Sequence, residues 1–512
     1  MDLNLKTFTL GEVRTVLDTT ADNPFDFDVN LPDYFPDIQR VLKCIVTPGI
    51  SASNSVAGRA MAEGNALMRI IYSADDKKIY CYEQSFPFSK SVEDSSLTGN
   101  DSLITTVKTD YVNCRATGQR RLSVSGVISI RFTVKSRTER RFVCGCDNSD
   151  VQLQTKRIDT VSTVGCCAKS FAMSEVAQLG SGFEPVDKLI NASAHIVVDS
   201  SKAVSGKILI KGNLIVDIVY RSDSDTVESS VFRHTMPVSQ IIEAQGATED
   251  SINDIYIKVS DLNIMPKADA GGIKNQVEIA VKVDAFIVSD TKIETEVVND
   301  AYSLSGELCG KYENIAVKKA IDKVSETVTS SKTFEMNSDG VTSVIAAWSN
   351  GIRHTYKVKG KELIVNGSVS VMMLLTDREK EPYPVEKELE FEYIKRLNVD
   401  SDNVGFDPMI QVSVCRGSVE STDSVTVKAD VEINGSIYAY TDKRVLTDCT
   451  VNEIAEESKN IPPIMIYFAQ EGEEIWDIAR KYRTTPDSIK TENDLTDDNF
   501  GEKRMIVIPS VY

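Results

Sequence analysis

A chain of 512 residues, 41% hydrophobic and 26% charged, has room for roughly three to four domains with a buried core in each, which excludes a disordered or fibrous polymer. Its formal net charge of −19 leaves no basic footprint for nucleic-acid phosphates and disfavours an anionic membrane. No run approaches the ~20 apolar residues of a membrane span and residues 1–20 hold no signal-peptide core, so no membrane insertion is expected and the expected compartment is the cytosol.

Residues 1–24 read as an N-terminal segment ahead of the first repeat. The run Asn30-Leu31-Pro32-Asp33-Tyr34-Phe35-Pro36-Asp37-Ile38 opens that repeat, and Asp33 and Asp37, beside two prolines, suit turn capping better than acid–base chemistry. Val56-x-Gly58-Arg59, Gly64-Asn65-Ala66 and Tyr72 then recur as Val204-x-Gly206-Lys207, Gly212-Asn213-Leu214 and Tyr220. A third copy begins Val358-x-Gly360-Lys361, takes one extra residue before Gly367, and continues with Val369, Val371, Met373 and Leu375. Internal repetition is therefore the main signal in the body of the chain.

Each copy alternates apolar and polar residues, the pattern of a strand with one buried and one wet face. In the second copy Ile208, Ile210, Leu214, Val216, Ile218 and Tyr220 share a face, and Gly212 marks a turn, a bulge or a close backbone approach. A second alternating strand follows far downstream in every copy: Leu122, Val124, Ile128, Ile130, Phe132 and Val134; Val277, Ile279, Val281, Val283 and Ala285; Val425, Val427, Ala429, Val431 and Ile433. The fold class is mostly β, with three tandem antiparallel β-sandwich or barrel-like repeats at 25–160, 161–310 and 311–455.

Arg115 to Arg141 carries eight Lys and Arg against Glu139. Arg137, Arg140 and Arg141 in this stretch are candidates for electrostatic docking, including self-association; the alternative is a solvated strand face whose arginine stems cover apolar surface. The ten cysteines fit a reducing compartment as small apolar side chains. Cys144, Cys146, Cys166 and Cys167 lie close in sequence, but none of the three histidines, His195, His234 and His354, is near a cysteine, so no zinc spacing is present. No nucleophile with a base and no phosphate loop is found; the chain is expected to be no enzyme and to need no cofactor or metal.

Residues 456–463, ending in Pro462-Pro463, read as a stiff linker to a separate unit at 464–512. There, Ile464-Met465-Ile466-Tyr467-Phe468 and Met505-Ile506-Val507-Ile508 are strand-like runs. Between them, Ile475, Ile478, Ala479 and Tyr482 fall on one helical face, and Thr485-Pro486-Asp487 is a helix start that closes near Asn493. This predicts a βααβ head. Trp476, one helical step from Ile475, sits at the margin of the buried stripe, where it either anchors an interface or covers the core edge.

Tyr467-x-x-Gln470-Glu471-Gly472-Glu473, Ile475-Trp476-Asp477-Ile478-Ala479, Tyr482, Ile489, Asn493 and Arg504-Met505-Ile506-Val507-Ile508-Pro509 together resemble a LysM domain. That resemblance implies a ligand groove between the loop after the first strand and the loop after the second helix, here involving Gly472, Glu474, Trp476, Asp477, Asn493 and Leu495. Glu473-Glu474 replaces the usual Asp-Thr, so a carboxylate stands where a small hydroxyl lines the sugar groove. The Asn30–Ile38 motif with the Gly-Lys or Gly-Arg strand and the late alternating strand resembles the SPOCS domain of spore coat proteins. Tandem SPOCS copies followed by one LysM domain are similar to SipL-like spore coat morphogenetic proteins. The resemblance implies a mother-cell protein at the forespore surface that encases the spore, meets other coat proteins, and binds stage IV sporulation protein A, the basement-layer ATPase, through its LysM head. The alternative is a peptidoglycan or N-acetylglucosamine binder of the cortex or wall.

Overall fold

The computed structural model describes residues 3–99, 101–222, 230–336, 340–399, 403–453 and 464–509. Alternation produces two antiparallel sheets per repeat. In the first, β2 (Arg40–Val56), β3 (Arg59–Ser73) and β4 (Ile79–Glu93) form one sheet. The other is built from β1 (Leu5–Asn30), β6 (Arg121–Cys146) and β5 (Ser102–Gly118), with β6 in the middle. The second repeat has the same order, with β8 (Val186–Val204), β9 (Lys207–Ser222) and β10 (Ser230–Glu243) opposite β7 (Val151–Gln178), β12 (Gln276–Ser303) and β11 (Ile252–Lys267). The third pairs β14 (Ser343–Lys359), β15 (Glu362–Thr376) and β16 (Pro382–Arg396), and sets them against β13 (Gly306–Glu335) and β19 (Ser424–Glu453). Here two strands, β17 (Val404–Phe406) and β18 (Met409–Ser421), share β19 where the earlier copies have one; Pro408 lies between them, and it has no N–H to give a ladder.

The expected core faces are buried as a set. Ile208, Ile210, Leu214, Val216, Ile218 and Tyr220 meet Val277, Ile279, Val281, Val283 and Ala285 between the two sheets of the second repeat, and the corresponding runs close the first and third cores. The three middle strands each carry a glycine where a partner carbonyl crowds the ladder. A Cβ on Gly64, Gly212 or Gly367 would lie 1.9, 2.2 or 2.4 Å from the carbonyl oxygen of Gly49, Val197 or Arg353. Of the readings open for Gly212, close backbone approach is the one realised.

The repeats divide at other places than the alternation suggests. Leu5–Asn30 pairs along its length with Arg121–Cys146, so most of residues 1–24 belong to the first repeat's own sheet. The first strands of the later repeats, β7 and β13, start at Val151 and Gly306 rather than near 161 and 311. Bulges explain why the pattern hid this. Val16, Val164 and Ile321 are extra residues on the first strand of the three long strand pairs, β1–β6, β7–β12 and β13–β19, and Cys144, Asn299 and Thr447 are extra on the last strand. Each bulge moves the period-two pattern by one residue, so the outer ends of these strand pairs turn their apolar side chains away from their own sandwich.

Those ends meet one another instead. Leu10 and Phe142 of the first repeat, Ile158 and Val297 of the second, and Ile315, Val317 and Val445 of the third form one cluster. A second cluster joins Leu3, Val143, Val151, Val298, Leu446 and Cys449. On the other sheets the bulge residues Leu42, Ile190 and Ile345 all enter a third inter-repeat cluster with Trp348. All three pairs of repeats are in contact, which closes the body into a ring of three sandwiches.

Polar groups fix the register of that ring. Arg137 of the first repeat donates to the Thr163 carbonyl of the second at 2.9 Å, and the Thr163 hydroxyl donates to Asp290 Oδ1 at 2.6 Å. Asp290, fully buried, accepts from Lys318 Nζ of the third repeat at 2.7 Å, and that ammonium lies 3.7 Å from the centre of the Tyr438 ring. Removing one partner of a buried pair strands the other charge, at a cost of about 3–5 kcal/mol. Lys318→Met is therefore expected to lower the chemical-denaturation midpoint sharply, and Lys318→Met combined with Asp290→Asn to recover most of the loss. A double variant as unstable as the single would show that the loss comes from the other Lys318 contacts, such as that with the Tyr438 ring, rather than from a stranded Asp290 charge.

A second ion pair between repeats responds to pH. Burial would raise the Glu386 carboxyl, but hydrogen bonds from Ser370, Asn350 and Lys43 outweigh it and hold it at about 2, against an ordinary value of 4.5. A depressed carboxylate contributes stability above its unfolded value and loses it as pH falls toward the folded one. The melting-temperature gap between the wild type and Glu386→Gln is thus expected to be full at pH 6 and to shrink from about pH 4.5 towards 2. A gap constant over that range would show that the Glu386 contacts carry no pH-dependent stability.

Candidate functional site

The βααβ head forms as expected: β20 (Ile464–Ala469), α1 (Ile475–Tyr482), α2 (Pro486–Glu492) and β21 (Arg504–Pro509). Ile475, Ile478 and Ala479 are buried and Tyr482 is half-buried. Thr485 caps α2, its hydroxyl oxygen accepting from Ser488 N at 3.0 Å, and Asn493 ends the helix. The linker 456–463 lies outside the described residues.

The six groove candidates do not come together as one surface. Gly472, at φ +82°, and Glu474 are exposed in the loop after β20, and the loop after α2 is bonded directly to that loop: Gly472 N donates to Phe500 O and Ile475 N to Asp498 O, both at 2.8 Å. Asp477 is exposed on the first turn of α1, near the positive end of the helix dipole. Asn493 faces inward, its side-chain N–H groups donating to Ile489 O of α2 at 2.8 Å and to Val507 O of β21 at 2.6 Å while its oxygen accepts from Val507 N. Leu495 packs against the head's own core. Glu473, adjacent to the candidates, folds back to accept from Gln470 N and from the Tyr467 hydroxyl.

Trp476 turns toward the body. Its indole N–H donates to Asp300 Oδ2 at 2.8 Å, Arg480 reaches the same oxygen at 2.7 Å, and the ring meets Tyr302 edge-on with centroids 4.9 Å apart. The Tyr302 hydroxyl donates to Thr484 O at 2.6 Å, and Tyr302 itself is part of the head's apolar cluster. Asp300 and Tyr302 were not legible as docking residues. The one available signal is contrast between copies: counted from the shared bulge, the positions of Asp300 and Tyr302 hold Gly145 and Asp147 in the first repeat and Asp448 and Thr450 in the third. Only the second repeat offers an acceptor and an aromatic ring together.

The head leaves another face open. Ile464, Ile466 and Phe468 are 64%, 63% and 66% exposed on the outer side of β20, paired across the strands with Pro509, Val507 and Met505, the last 58% exposed. By contrast, the basic stretch is largely occupied within the chain. Arg131 pairs with Asp18, Arg120 with Asp37, Arg140 with Glu12 at 3.0 Å, and Arg137 bridges to Thr163 while touching Glu139; Arg141 is exposed. Cys146 donates to Leu3 O, Cys144 occupies a bulge, and burial pushes the Cys166 thiol up and the Cys167 thiol up to about 11. Among the described residues no three His, Cys, Asp or Glu side chains converge as a metal site, and no helix is long and apolar enough to cross a membrane.

At one end of the first sandwich the Asn30–Ile38 motif forms a plug: Leu31, Phe35 and Ile38 enter the core, Tyr72 donates to Pro36 O at 3.1 Å, and Arg120 holds Asp37 at 2.7 Å and the carbonyls of Pro32 and Phe35. Tyr220 repeats the contact with Glu184 O at 2.9 Å. Residues 37–117, starting at the end of the first plug, and 185–267, starting just after Glu184, match the family model described as SipL, SPOCS domain. The chain carries tandem SPOCS domains. No curated protein and no solved structure matched. Each SPOCS match takes in the four strands from β2 to β5 or from β8 to β11 and leaves out the two long strands that flank them. The SPOCS assignment points to a sporulation-related protein.

Asp300 accepts two donors at the head–body contact, and a hydrogen bond to a charged acceptor contributes about 1.5–3 kcal/mol. Asp300→Ala is expected to free the indole and shift Trp476 emission to the red, read after subtracting the Trp348 signal recorded from Trp476→Phe. An unshifted spectrum would assign the docking to the Tyr302 ring contact alone.

Proposed function

We propose that the chain is a non-enzymatic scaffold and adaptor of spore coat assembly, acting in the mother cell at the forespore surface. The three sandwiches form its rigid body, and the LysM-like head binds the basement-layer ATPase, stage IV sporulation protein A. The SPOCS domains support the sporulation setting. The observation that supports an adaptor head is the solvent-facing apolar surface of Ile464, Ile466, Phe468 and Met505 on a unit so small, a feature typical of protein contacts rather than of sugar grooves. Trp476, bound to Asp300 and Tyr302, acts in this reading by holding the head in position.

Ile466 and Phe468 are both exposed, so replacing them with serine spares the head's core. An apolar anchor at the centre of a protein interface contributes about 2 kcal/mol, which is roughly thirtyfold in affinity. The pair Ile466→Ser and Phe468→Ser is expected to weaken binding to the purified ATPase by at least that factor with an unchanged circular dichroism spectrum. Binding within threefold of wild type would remove this face from the interface. Sedimentation with insoluble peptidoglycan, retained by both proteins while ATPase binding is absent, would favour the glycan reading instead.

A further inference from the structure

The first repeat places two cysteines against each other at the open edge of its sandwich. Cys44 lies on β2, the edge strand of one sheet, and Cys114 on β5, the edge strand of the other. The two strands pack together there, and the Thr109 hydroxyl of β5 donates to Val46 O of β2 at 2.6 Å. Both thiols belong to the same apolar cluster; Cys44 is buried and Cys114 half-buried.

Nothing in the fold requires sulfur at these places. Counted from the shared bulges, the positions of Cys44 and Cys114 hold Ala192 and Ile264 in the second repeat and Ala347 and Gly417 in the third. The first sandwich is the one copy with a thiol on each side of the seam.

We propose that Cys44 and Cys114 are a redox cross-linking site, converted by a peroxide into a disulfide that ties the two sheets of the first sandwich together. The contact divides the chemistry between them. The neighbouring Cys44 thiol lowers the Cys114 thiol, making it the readier thiolate, while the same neighbour and burial raise Cys44 and keep it protonated. The Cys114 thiolate attacks one oxygen of hydrogen peroxide; the O–O bond breaks, Cys114 becomes a sulfenic acid, and hydroxide leaves to take up the displaced proton as water. The Cys44 sulfur then attacks the Cys114 sulfur, the S–S bond forms as the S–O bond breaks, and the hydroxyl departs with the Cys44 proton as a second water. Two thiols lose two electrons and one peroxide becomes two waters.

The test uses the full chain, reduced, then treated with stoichiometric hydrogen peroxide, blocked with iodoacetamide and digested for mass spectrometry. The expected result is a linked peptide pair containing Cys44 and Cys114, about 2 Da lighter than the two reduced peptides together, that separates on adding dithiothreitol. Cys44→Ala, which installs the residue the other repeats carry there, is expected to leave Cys114 as a sulfenic acid that dimedone traps. Cys114→Ser is expected to abolish both products. Recovery of Cys44 and Cys114 fully alkylated after peroxide would overturn the proposal. Cross-linking of either one to a different cysteine, or conversion of Cys114 to the sulfinic acid while Cys44 is present, would overturn it equally.

Discussion

The body of this protein depends on a carboxylate that no water reaches. Asp290 sits where the long β7–β12 pair of the second repeat bulges, and it is satisfied from two directions: by Thr163 of its own sheet and by Lys318 of the third repeat. Thr163 in turn gives its carbonyl to Arg137 of the first repeat. A buried charge is tolerated only when its partners are in place, so this chain of contacts permits few relative placements of the three sandwiches. Nearby, Gly11 lets the first repeat approach so closely that its N–H reaches the Ser162 hydroxyl at 2.9 Å, where a Cβ would lie 2.1 Å from the Thr163 carbonyl oxygen. The apolar clusters on either side add burial, while the polar chain supplies the register.

The bulges are what make such a ring available to a sandwich fold. A regular strand gives every apolar residue to one face, leaving nothing with which to hold a neighbour. One extra residue reverses the faces beyond it, so the same alternating code serves a private core along most of the strand and a shared core at its end. That the bulges recur at matching places in all three copies accounts for Leu42, Ile190 and Ile345 meeting in one cluster. The head exploits the same device. Asn299 is the bulge residue, and the two residues that receive the head, Asp300 and Tyr302, follow directly on the strand it re-aims.

This arrangement separates two roles within the head. The α1 face bearing Trp476 and Arg480 is used inward, against the second repeat, and the outer face of the two-stranded sheet is turned to solvent. A head attached to a closed body in this way presents its apolar strand face in a defined direction.

Within-element features were legible in the sequence because they depend on neighbours a few residues away. Strand alternation named the buried faces from Leu122 to Ile433, the repeated Val-x-Gly marked hairpin turns that require positive φ, and the Thr485-Pro486 start and the Ile475, Ile478, Ala479 stripe fixed the head's helices. What the sequence could not show was where each side chain went once the chain had folded on itself. Arg137 and Arg140 stood out as free charge but find Thr163 and Glu12; Trp476 stood at the margin of a helix stripe and finds Asp300; Cys44 and Cys114, 70 positions apart, meet across a seam. Periodicity reports which face of an element is apolar, whereas the choice between solvent, a neighbouring repeat and the head is made by bulges and by contacts between residues distant in the chain, and those exist only in the tertiary structure.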